Sequence, residues 1–150
     1  MQEGASFILP GLLRRALQGL LTLILVGIAL PCLAKTVVIG DESLGAIDAT
    51  IVGRVYTGRT VQVAGVAVQP VNMKAGDPRR LAFLRAILQQ SDDDYVAYWI
   101  VRRAIGKGTP PPEVDNLQAL FDYVRSTPGA IGYAEEADLV PGVKVLLILP

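Results

Sequence analysis

The sequence contains no histidine, a single cysteine (Cys32), and as many acidic as basic residues, 14 of each. Each shortage removes a class of chemistry. Without histidine, no side chain has an ordinary pKa near neutrality for proton exchange, and no imidazole is available to a metal. One cysteine and no histidine exclude a Cys/His zinc site, and a lone cysteine forms no internal disulfide. Balanced charge leaves no basic footprint for nucleic acid. The hydroxyls of Ser43, Ser91 and Ser126 have no imidazole to activate them, and Lys35, Lys74, Lys107 and Lys144 stand in no motif. Gly40, Gly45, Gly106 and Gly108 lack the spacing of a phosphate loop. The expectation is a protein with no enzymatic activity, no metal and no cofactor.

What is present begins with a long apolar run. Arg14 and Arg15 precede a stretch from Ala16 to Leu30, followed by Pro31, Cys32, Leu33 and Ala34. Positive charge, then an apolar stretch, then small residues is the order of a secretory signal. The two arginines stay on the cytoplasmic side because hydrocarbon is costly for them. Cleavage after Ala34 is the preferred reading, with Cys32 and Ala34 as the small residues before the cut. An uncleaved anchor stays open, because Leu12 to Leu33 is nearly long enough to span a tilted bilayer crossing. A lipoprotein is the third reading, although Pro31 beside Cys32 does not resemble a lipobox. A buried core helix is opposed by the arginine pair and by Pro31. Residues 1–34 are therefore read as a signal peptide or anchor, and residues 35–150 as one domain of a bacterial envelope protein. That domain has no cysteine, which suits an oxidising compartment.

The elements of residues 35–150 follow from local patterns. Thr36 to Gly40 (TVVIG) is β-branched and apolar and reads as a buried strand. Ala46 to Val55 suits a helix or a strand, with a helix closing at Gly58 preferred. Val61 to Val71 partly alternates and reads as one strand, with Pro70 at an edge or end. Asp77-Pro78 starts a helix with a good N-cap and first residue, and Leu81, Leu84, Ile87 and Leu88 form its apolar stripe. Ser91 or Asp92 starts the next helix. Asp92, Asp93 and Asp94 suit its N-terminal dipole, and Arg102 and Arg103 its C-terminal end. Gly108 to Pro112 reads as a stiff extended connector. Asp115 or Asn116 caps a third helix carrying Leu117, Leu120, Phe121 and Val124, and Pro128-Gly129 ends it. Ala130 to Tyr133 is a short strand, Glu135 to Asp138 a turn or helical stub, and Val143 to Leu149 a last strand. This order of strands and helices points to a layered α/β domain with helices covering a sheet.

Several of these segments form a series: Val55-Tyr56-Thr57-Gly58, Phe83, Tyr98-Trp99, Gly106 with Pro110 to Pro112, and Arg125 to Tyr133 (RSTPGAIGY). The series resembles the small substrate-binding-like proteins of phosphate ABC transport, relatives of the type 2 periplasmic binding proteins. The likeness covers roughly Thr36 to Leu149. It implies a fold like one lobe of a type 2 periplasmic binding protein, with a mixed sheet covered by helices. It implies a periplasmic, solute-binding-like role, with phosphate or another small oxyanion as ligand and an ABC permease as partner. In full-length phosphate binders of this kind, a Ser-Gly-Thr-Arg segment opening a helix holds the anion through backbone N–H groups, hydroxyls and a guanidinium. Carried onto this sequence by way of Phe83, the segment falls on Asp77, Pro78, Arg79 and Arg80. Neither hydroxyl is kept, Pro78 removes an N–H, and Asp77 brings negative charge. These departures argue against tight phosphate binding at that helix end. The residue count also suits one lobe, whereas a clamp needs two.

Two functional readings result. In the first, Asp77, Arg79 and Arg80 meet an oxyanion, joined by Ser43 at the carboxyl end of the first strand. In the second, the lobe has lost ligand binding and docks on an envelope sensor or transporter protein. The membrane is touched only through the N-terminal segment. Plainer readings stand beside these. Arg79 and Arg80 as solvated helix residues, Asp92 to Asp94 as capping charge, Tyr95, Tyr98 and Trp99 as packing, and Glu135 and Glu136 as surface explain the same residues without a site.

Overall fold

The structure, a computed structural model, describes residues 35–150. The readings of the leader, its cleavage and its anchoring lie outside the described residues. Strand β1 (Thr36–Gly40) is buried from Val37 onward, as an all-apolar run requires. Helix α1 (Ala49–Tyr56) starts where the Asp48 carboxylate accepts the Ile51 N–H, and it ends at Thr57 before Gly58 at φ +65°.

The stretch from Val61 to Val71 departs from the single strand that alternation suggests. It is a hairpin of β2 (Gln62–Val63) and β3 (Val66–Ala67), followed by a separate two-residue strand, β4 (Gln69–Pro70). Ala64 and Gly65 both have positive φ, 50° and 82°, which is the two-residue loop that reverses a chain within a hairpin. Alanine rarely adopts that conformation, so Gly65 alone among the residue types hinted at the reversal. Strand β5 (Asn72–Met73) comes next.

Helix α2 (Pro78–Leu88) has the expected start, with Asp77 accepting the Arg79 N–H at 2.9 Å and Pro78 in the first turn. Helix α3 (Asp92–Ala104) opens with a reciprocal cap between Ser91 and Asp94. The proline-rich connector then leads into β6 (Glu113–Val114), which pairs in parallel with β5. Helix α4 (Leu117–Ser126) is capped by Asn116. Strand β7 (Ala130–Glu135), a 3-10 turn at Glu136–Asp138, and β8 (Lys144–Ile148) complete the chain.

The main sheet runs β4-β7-β1-β8. β1 is antiparallel to both neighbours, and β4 is parallel to β7. Pro70 sits on the outermost strand. There the N–H groups of Gln69 and Val71 bond the Gly129 and Ile131 carbonyls, so the ladder needs no donor from Pro70. Helices α2 and α4 pack on β1 and β7. Gly132 allows that approach, since a Cβ there would come 3.0 Å from Leu120 and 3.2 Å from Val124. On the α2 side Phe83 stacks on Tyr133 at 4.1 Å, with Tyr56 tilted beside it at 4.6 Å. The result is a mixed sheet covered by helices, the layered α/β arrangement expected from the order of elements.

Candidate functional site

The chemistry gathers around the start of α2. β5 delivers the Met73 carbonyl, Gly76 (φ +79°) turns the chain, and Asp77 caps the helix, which places Arg80 one turn in. The Arg80 side chain is only 1% exposed. Its Nε donates to Asp92 Oδ1 at 2.7 Å, and its Nη1 donates to the Met73 carbonyl at 3.0 Å and to Glu113 Oε1. The guanidinium also lies 5.6 Å from the Tyr95 ring centroid. The second Asp92 oxygen accepts the Gly76 N–H at 2.8 Å. Asp92 therefore occupies both a backbone donor of the loop before α2 and the guanidinium within the helix.

The electrostatics follow from this arrangement. Burial alone would lower the Arg80 pKa. The hydrogen bond and charge of Glu113, with the charge of Asp92, outweigh that and hold it above its ordinary value. Within the hydrogen-bonded group one guanidinium faces two carboxylates, and Arg103 lines the adjoining cleft.

A layer of buried hydroxyls and amides supports the cluster. Tyr133 Oη donates to Asn72 Oδ1 and accepts the Met73 N–H at 3.0 Å. Asn72 Nδ2 donates to Tyr95 Oη, which donates to the Tyr56 carbonyl at 2.8 Å. Tyr56 Oη donates to the Val71 and Ile131 carbonyls. Burial pushes all three phenols up from their usual range. The strand that presents the Met73 carbonyl is thus fixed from below. Beside Arg80 and Glu113 lies a cleft of about 200 Å³, walled by Tyr95, Val96, Trp99, Ile100, Arg103 and Pro110.

The four residues singled out in the sequence stand in different surroundings. Asp77 spends its carboxylate on the helix cap. Arg79 is partly exposed, and its Nε and Nη2 both bond Asp138 Oδ2 at 3.0 Å. Arg80 is buried and paired, which corrects the reading of it as a solvated helix residue. Ser43 is exposed and donates to Asp41 Oδ1 at 2.7 Å. It follows the end of β1 where Gly40 faces Ile131, whereas Arg79 meets Asp138 just past the other end, where Thr36 faces Glu135. The length of β1, about 16 Å at 3.3 Å per residue, separates Ser43 from the α2 cluster. Sequence reasoning missed Glu113 and the Met73 carbonyl, both delivered by the two-residue β5–β6 pair. It read Asp92 only as capping charge. Among the described residues no group of three or more acidic, Cys or His side chains is placed to hold a metal. No described helix is long and apolar enough to cross a membrane.

No family model matches the chain, and no curated protein matches it. Solved structures do. An ABC-type phosphate transport receptor from Vibrio cholerae superposes with a TM-score of 0.59 at 12% identity, over 75% of this chain and 45% of that one. A phosphate ABC transporter substrate-binding protein with bound phosphate from Clostridium perfringens gives a TM-score of 0.58 at 14% identity, over 75% of this chain and 44% of that one. The chain spans less than half the length of either structure. At this identity the likeness is one of fold, and the described residues have the fold of one lobe of such a protein.

Proposed function

We propose that this chain is a non-enzymatic, solute-binding-like lobe of an envelope ABC transport system, in which the anion position at the start of α2 is filled by the chain's own Asp92. Residues 1–34 carry it out of the cytoplasm, and residues 35–150 work in the periplasm. Its role is contact with a transporter or sensor protein rather than retention of free phosphate. The observation that carries this reading is Arg80: 1% exposed, and held by Asp92, Glu113 and the Met73 carbonyl. An incoming anion would have to displace a carboxylate already bonded on both oxygens.

The alternative, a small oxyanion such as phosphate held near Asp77, Arg79 and Arg80, is supported by the phosphate transport proteins that share the fold. Calorimetry separates the two. The exported protein titrated with phosphate and with sulfate is expected to show no saturable micromolar heat. Saturable micromolar binding that Arg80→Lys abolishes would overturn the adaptor reading. The intact mass of the exported protein tells whether residues 1–34 are removed.

A further inference from the structure

We draw no further inference here: the strongest candidate, the exposed apolar stripe of α3 through Val96, Ile100 and Val101 together with the cleft beside it that Arg103 and Glu113 line, carries nothing, because nothing in the structure shows what covers it.

Discussion

Replacing Asp92 with alanine tests the Arg80 cluster directly. The substitution removes the Nε bond at 2.7 Å and the Gly76 N–H bond at 2.8 Å, and it leaves a guanidinium that is 1% exposed with Glu113 and one carbonyl. Breaking one partner out of a buried ion pair costs about 3–5 kcal/mol. Glu113 stays in place, so the lower end, about 3 kcal/mol, is expected against roughly 5–15 kcal/mol for a whole domain. Glu113→Gln is the internal contrast. Its side chain is 47% exposed and the amide oxygen still accepts, so the loss is at most about 1 kcal/mol. Arg80→Met combined with Asp92→Ala is expected to cost less than the two single changes added together, because no unpaired charge remains. Urea denaturation followed by far-ultraviolet circular dichroism reads these as shifts in midpoint at constant slope. Phosphate is expected to recover part of the Asp92→Ala loss, since the Gly76 N–H and Arg80 Nε are then open to an anion, and to leave the wild-type chain unchanged. A loss below about 1 kcal/mol for Asp92→Ala would refute the account of a buried, internally neutralised arginine.

Alkaline pH acts through the buried phenols. Tyr56, Tyr95 and Tyr133 are held above the ordinary value of about 10, so the folded chain keeps protons that the unfolded chain gives up. Their contribution to stability is complete below that pH and falls as pH rises beyond it. Ultraviolet phenolate absorbance from these residues should appear together with loss of the fold; its appearance in an intact fold would contradict their burial. Gly129→Ala places a Cβ against the Ala67 carbonyl at φ +74°, and should cost more than about 2 kcal/mol in thermal or urea unfolding. Ser91→Ala removes the reciprocal cap of α3 and should cost about 1 kcal/mol by the same measurement.

The starts and stops of the helices were legible because they are local. Asp77-Pro78, Ser91 or Asp92, Asp115 or Asn116, and Pro128-Gly129 each act within four residues, and the structure starts the helices at Asp77, Ser91 and Asn116. The hairpin turn at Ala64-Gly65 was not legible, because alternation continues on both sides of it and alanine is a poor marker of positive φ. The site was less legible still. Arg80 meets Asp92 and Glu113, 12 and 33 residues further on, and that meeting depends on the parallel pairing of two dipeptide strands. No periodicity encodes such a register, so the arginine was visible and its partners were not. Ser43 stands past the opposite end of β1 from the α2 cluster, and nothing local to its segment told which end that cluster would take.

The placement of β1 bears on when the domain takes shape. Its five residues come first among the described elements, yet they lie between β7 and β8, which come last. Every ladder bond that β1 makes in the main sheet waits for residues 130 to 148 to be made. Such long-range closure is slow. While the carboxyl-terminal strands are still on the ribosome, the apolar first strand has no partner in its own sheet. A chain wired in this way cannot close its main sheet until its last strands have been made.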